Sequence, residues 1–206
     1  MSETSPTVFI VDDDDEVRES LEDLVDSVGL EARTFPNAPA FLADYSPEHV
    51  GCLLLDIRMP GMSGLELQQE LRAKGSSLPV IFITGHGDIP MAVEAMRRGA
   101  VDFIEKPYRD QDLLDRVNAA VEAGQRRQNE RAEIDAIAER SATLTPRERE
   151  VMDLIVQGQA NKVIAIDLGL SQRTVEVHRA RVMEKMGVRS LAQLVRAHAR
   201  LEESKP

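Results

Sequence analysis

The strongest constraint on this chain is an alternation in its first half, where a short β-rich run is followed by a stretch of helical spacing, five times over. The runs are TVFIV from Thr7, EARTF from Glu31, CLLLD from Cys52, PVIFIT from Pro79 and VDFIE from Val101. Helical patterns follow in DEVRESLEDLVDSVG, from about Pro36 to Asp44, from Ser63 to about Ala73, from Ile89 to Arg98, and from near Arg109. Short runs of continuous apolar character suit strands covered on both faces. Parallel strands need a long crossover between them, and a helix supplies one with right-handed sense. The pattern therefore predicts an α/β domain around a five-stranded parallel sheet. Gly29, Gly75 and Gly99 each stand just past a helical run, where a left-handed C-cap residue is expected.

From Glu122 to Ala142 the apolar face is lost for about two turns and returns at Ile134, Ile137 and Ala138. With Gly124 at its start, this stretch is expected to be a polar linker over 123–142, partly helical, and reads either as a solvated spacer or as a dimerising or signal-carrying helix. The remainder contains helical patterns alone. Thr145, Pro146 and Glu148 form a capping box with proline at the first helical position, and Ser171 opens another helix. Four helices are predicted at about 146–157, 161–168, 171–186 and 190–201, with Gly169 in the turn of a helix-turn-helix.

Composition sharpens this division. The net charge of −11 taken whole argues against a nucleic-acid partner. Split after Gly124, the first part carries 10 Lys+Arg against 24 Asp+Glu and the second 15 against 12, so a strongly acidic module precedes a mildly basic one. Such asymmetry directs the search for nucleic-acid contact to the basic part. No run approaches the length of a membrane span, and MSETSPT lacks the charge and apolar core of a signal peptide, so a cytoplasmic location and no membrane partner are expected. The single cysteine, Cys52, sits in an apolar run and is expected to pack as a small hydrophobe.

In a parallel α/β sheet, functional groups gather beyond the carboxyl ends of the strands. Here those ends carry Asp12 and Asp13 after the first run, Asp56 after the third, Thr84 after the fourth, and Lys106 with Pro107 after the fifth. Converging carboxylates repel one another unless a cation is present, and hard oxygen ligands suit Mg²⁺. A lysine in the same pocket matches a phosphoryl oxygen. With Thr84 as hydroxyl donor, the set reads as a site for phosphoryl transfer to a carboxylate nucleophile. Asp14 and Asp15 read only as a solvated helix start, and His86 as a surface residue.

These segments, together with LLLDIRMPGMSG and TGHGDIPMAVEAMRRGAVDFIEKP, resemble a receiver domain of a two-component response regulator of the FixJ-type (NarL/FixJ) branch, over residues 6–122. The resemblance implies a flavodoxin-like doubly wound fold, with Asp56 taking a phosphoryl group from a sensor histidine kinase. It further implies Mg²⁺ at Asp12, Asp13, Asp56 and the backbone carbonyl of Arg58, and Lys106 on the phosphoryl group. Thr84 and Phe103 match the switch pair of that family, and a cis bond is implied between Lys106 and Pro107. The rival reading of the carboxylates is a Mg²⁺-dependent phosphohydrolase, for whose lid the short loops leave little room.

The helix SQRTVEVHRARVMEKMG carries the second expectation. Val175, Val182 and Met186 recur at helical spacing and should face a core, leaving Arg173, Glu176, Val177, Ala180 and Arg181 on the opposite face. From Ser171 to Ser190 there are five Lys+Arg against Glu176 and Glu184, enough to approach phosphates. An exposed Val177 suits a thymine methyl in the major groove. The stretch LTPREREVMDLIVQGQANKVIAIDLGLSQRTVEVHRARVMEKMGVRS resembles the LuxR-type helix-turn-helix domain, within 143–204. By that resemblance Arg173, Thr174, Glu176, Val177, His178 and Arg181 contact double-stranded DNA, and Lys162 contacts a phosphate. Many such domains place lysine where this chain has Glu176, which can accept from cytosine N4 or pair along the helix with Arg173 or Arg179. The other reading of this module is a helical dimerisation domain. Together the parts imply a transcription regulator that is not an enzyme beyond its own phosphorylation, forms a homodimer when phosphorylated, and has RNA polymerase as a candidate partner.

Overall fold

In a computed structural model of the chain, residues 5–85 and 89–203 are described. His86 lies outside the described residues. The chain divides into two compact units, Met1–Asn129 and Glu130–Pro206.

The first unit follows the expected alternation: β1 Thr7–Val11, α1 Asp15–Asp26, β2 Glu31–Phe35, α2 Ala38–Asp44, β3 Gly51–Asp56, α3 Gly64–Ala73, β4 Val80–Thr84, α4 Ile89–Arg97 and β5 Asp102–Glu105. A last helix, α5 Asp110–Ala142, begins in this unit. All strand pairs are parallel, in the order β2-β1-β3-β4-β5, so the sheet is doubly wound with its reversal between β1 and β3. Strand periodicity explains why β1 and β3 are buried throughout. Phe9, Val11, Leu53, Leu55 and Phe82 pack with Phe41, Leu67 and Ala95 on one face. Val8, Ile10, Cys52, Leu54, Ile81 and Ile83 pack with Leu21, Val25, Leu113 and Val117 on the other. Cys52 is buried as expected, and burial pushes its thiol up to about 12. Gly29, Gly75 and Gly99 have φ of 77°, 69° and 93° at their helix ends. Asp14 caps α1, accepting from the backbone N–H groups of Glu16 and Val17.

The segment over 123–142, expected to be partly helical, is helical throughout: α5 runs unbroken for 33 residues. Gly124 marks a close approach and not a spacer. A Cβ at this position would stand 2.1 Å from the carbonyl oxygen of Gly51 at the start of β3. Gly51 in turn has φ 135°, and a Cβ there would stand 1.8 Å from the Thr7 carbonyl oxygen. The two glycines let helix and sheet meet backbone to backbone.

The second unit holds the end of α5 and α6 Pro146–Val156, α7 Asn161–Asp167, α8 Gln172–Lys185 and α9 Leu191–Glu203. The capping box at Thr145 forms in full: Glu148 N–H donates to the threonine hydroxyl at 3.3 Å and the Glu148 carboxylate accepts from Thr145 N–H at 2.9 Å. Ile137, Val151, Ile155, Ile164, Val175, Val182, Met186 and Leu194 are in its core, including Val175 and Val182 of α8 and Met186 at its C-cap, as expected. Ile134 is half-buried and Ala138 exposed. Among the described residues no helix is long and apolar enough to cross a membrane.

Candidate functional site

The doubly wound sheet brings the carboxyl ends of β1, β3, β4 and β5 to one edge. Asp12 follows β1 and is 3 % exposed, Asp56 ends β3 at 8 %, and Thr84 ends β4 at 1 %. The Lys106 ammonium joins the two acids, donating to Asp12 Oδ2 at 3.0 Å and standing 4.0 Å from Asp56 Oδ1. The backbone N–H of Lys106 donates to the Thr84 carbonyl at 2.8 Å, fixing the lysine to the end of β4. The Lys106–Pro107 bond is cis. Asp56 Oδ2 accepts from the backbone N–H of Arg58 at 2.7 Å, and Asp12 Oδ1 accepts from Asp14 N–H at 3.0 Å. One oxygen of each acid is thereby held and the other faces the lysine.

This arrangement strains the ionisation of Asp56. Burial foremost, then the neighbouring charge of Asp12, push its carboxyl up to about 6, against the pull of the Arg58 N–H and Lys106; Asp13 adds a smaller push. Asp13 is exposed, one residue beyond Asp12. Among the described residues no three acidic, histidine or cysteine side chains stand as a ready-made metal cluster. The chemistry of the donors still suits a hard dication, since burial and the charges of Asp12 and Asp13 oppose ionisation of Asp56, and a bound cation would offset them. Phe103, half-buried on β5, packs against the cluster of Phe82 and Ala95.

One residue of this pocket went unforeseen. Arg18 of α1 donates to the Asp12 backbone carbonyl at 2.7 Å and pairs with Asp15, so the end of β1 is tied to α1. Its position six residues after Asp12, facing back along the first turns of a helix, was the available signal.

On the second unit, Lys162, Arg173, Glu176, Val177 and Arg181 are exposed, while Thr174 and His178 are half-buried. Thr174 belongs to the cap of α8: its N–H donates to Ser171 Oγ at 3.0 Å, and the two hydroxyls lie 2.8 Å apart. Val177 is 46 % exposed, an apolar residue in a charged face. Among the described residues no ion pair joins Glu176 to Arg173 or Arg179; Arg179 donates instead to Asn161 Oδ1 at 3.2 Å, bracing α8 on α7. His178 Nδ1 is buried and has no hydrogen-bond partner among the described residues. The charge count of this helix also needs correction. Lys185 is turned inward, donating to Glu148 at 2.7 Å and to the Thr143 carbonyl at 3.0 Å. Its positive charge serves the fold of the unit.

A receiver-like sheet with an acidic pocket and a helix-turn-helix unit with a basic exposed helix define a phosphorylation-controlled DNA-binding regulator as a class. Family models agree with each half: one described as "Response regulator receiver domain" matches residues 8–118. Another, "Bacterial regulatory proteins, luxR family", matches residues 142–198. The chain is 48 % identical to the transcriptional regulatory protein FixJ of Azorhizobium caulinodans over 95 % of its length and 92 % of the relative. It is 43 % identical to the response regulator protein TodT of Pseudomonas putida over 99 % of its length and 90 % of the relative. Among solved structures, the response regulator StyR matches with TM-score 0.86 and 47 % identity, covering 95 % of this chain and 99 % of that one. The chain belongs to the FixJ-type response regulators, with a receiver domain and a LuxR-type DNA-binding domain.

Proposed function

We propose that this regulator takes a phosphoryl group on Asp56 from the phosphohistidine of a sensor histidine kinase and, so modified, dimerises and binds promoter DNA. The observation that carries this is the placement of Asp12, Asp56, Thr84 and Lys106 at four neighbouring strand ends, with Lys106 between the two acids. An Asp56 oxygen attacks phosphorus, the P–N bond breaks, and the histidine imidazole leaves with its electron pair and takes up a proton. Lys106, released from Asp12, meets a phosphoryl oxygen, and the Thr84 hydroxyl donates to another. Asp12, Asp13, Asp56 and the Arg58 carbonyl would hold Mg²⁺, which supplies neutralisation of the charge that gathers on the phosphoryl oxygens. Movement of Thr84 and Phe103 then carries the change to the receiver surface.

For output, Arg173, Thr174, Glu176, Val177, His178 and Arg181 of α8 read the major groove while Lys162 contacts a phosphate. A dimer reads two half-sites about 10 bp apart, one turn of DNA. The regulator works in the cytoplasm, with RNA polymerase as the machinery it influences. The test is incubation of the full chain with phosphoramidate and Mg²⁺ followed by intact-mass measurement. A single added phosphoryl group, lost in Asp56→Asn, is expected; labelling that survives Asp56→Asn would overturn the assignment.

A further inference from the structure

The second unit has a cavity that neither the phosphoacceptor nor the DNA-reading residues use. It is an open cleft of about 370 Å³ between the end of α5, α9 and the turn that joins α8 to α9. That volume is at the lower end of the range for small-ligand sites. Two helical faces make its walls. Glu133, Ile137 and Arg140 recur at spacings of four and three on α5, and Gln193, Arg196 and Arg200 at three and four on α9, so each set shares one side of its helix. The floor is apolar: Ile137, Met186 and Ala197 are buried.

The charge on these walls is unbalanced. Three guanidinium groups line the cavity against the single carboxylate of Glu133, and that carboxylate pairs with Arg200. Arg140 lies over Gly187, its nearest nitrogen 3.5 Å from where a Cβ would stand. Among the described residues neither Arg140 nor Arg196 has a carboxylate partner. The Gln193 side-chain oxygen accepts from the Arg189 N–H at 2.7 Å, and its NH2 group is a donor. Two cations on one cavity, neither paired with a carboxylate of its own, repel each other, and an anion held by both forks turns that cost into charge-assisted hydrogen bonds.

We infer that this cavity binds a small organic anion, its phosphate or carboxylate held by Arg140 and Arg196 and its apolar part resting on Ile137, Met186 and Ala197. Such a ligand bridges α5 and α9 and stabilises the unit that contains the DNA-reading helix. The site is open to solvent, so its affinity is modest and falls with salt.

The test uses the full chain at constant ionic strength, with phenyl phosphate, benzoate and inorganic phosphate as probes in calorimetry and thermal melting. Saturable binding of phenyl phosphate or benzoate is expected, tighter than that of inorganic phosphate. Arg140→Gln and Arg196→Gln should each weaken it by about tenfold or more, the loss of one charge-assisted contact. Arg173→Gln on α8 should leave it unchanged. Absence of saturable binding, or binding unaltered in both cavity variants, overturns the site. Equal affinity for inorganic phosphate overturns the role of the apolar floor. If Arg140→Gln and Arg196→Gln instead flatten the salt dependence of DNA binding, these arginines belong to the DNA surface and the proposal fails.

Discussion

In the receiver, Asp12, Asp56 and Thr84 are almost wholly buried and the two acids share one lysine, whereas on α8 Arg173, Glu176, Val177 and Arg181 stand exposed. The first site is assembled by topology, since no two of its strand ends are adjacent along the chain without a helix between them. The second is a single helical face, complete as soon as α8 forms. Burial makes the first site costly: charge is gathered where solvent cannot screen it, and the fold carries that cost until a ligand relieves it. Exposure makes the second nearly free to change. Substitutions should therefore alter both stability and chemistry in the pocket, but binding alone on the helix.

Asp56→Asn gives the largest effect. It should abolish phosphorylation, and in metal-free buffer it should also stabilise the receiver. The folded-state carboxyl is raised from 3.8 to about 6. Below the lower value both folded and unfolded forms hold the proton and nothing is lost. As pH rises through the interval the unfolded chain releases its proton first, so the aspartate destabilises the fold by roughly 2–3 kcal/mol above the upper value. Asparagine removes that cost. Thermal or urea unfolding with EDTA should show a gain near pH 7.5 that fades toward pH 4, and no gain at any pH would break the contrast between the sites.

Gly124 sharpens the comparison from another side, and shows what was legible in sequence. Strand ends and capping boxes could be read because their signals are local: an apolar run closing on an aspartate, or threonine three residues before glutamate. The continuity of α5 could not be read from an apolar stripe, because between Gln125 and Glu133 no residue is buried and all but Ala132 are polar or charged. The surviving signal was composition, as glutamine, arginine, glutamate and alanine are good helix formers and no proline interrupts them. Gly124 misled because its reason lies at Gly51, far along the chain. Alanine in an open helix is favoured over glycine by about 1 kcal/mol, yet Gly124→Ala should destabilise by about 1–3 kcal/mol through overpacking on β3. A stabilised variant in urea unfolding would remove the close contact from the account.

The Glu148–Lys185 pair was illegible for the same reason, its partners being far apart in sequence. The hydrogen bond from Lys185, then that from Thr145 N–H, hold the Glu148 carboxyl down at about 2. A depressed acid stabilises the fold above its unfolded value of 4.5 and loses that contribution as pH falls toward 2. Glu148→Gln should lower the melting temperature at pH 7, by less than Gly124→Ala does, with the difference shrinking toward pH 2. The lysine left without its partner should also increase the salt dependence of DNA binding slightly. An unchanged melting temperature at pH 7 would show that the buried-face pair adds nothing, and the second unit would then differ from the receiver more sharply than the geometry implies.

The smallest stability effect belongs to the exposed face of α8. Arg181 is exposed and makes no ion pair among the described residues, so Arg181→Ala should leave the melting temperature unchanged within about 0.5 kcal/mol of stability. DNA binding should respond differently according to what Arg181 touches. A phosphate contact predicts weaker binding to every sequence and a salt slope shallower by about one. A bidentate contact to guanine predicts a loss of about 1–3 kcal/mol at one base pair and relaxed preference there. Affinity measured against salt on a specific and a scrambled duplex separates the two, and a variant that melts lower while binding DNA normally would make α8 a structural helix like those around the receiver sheet.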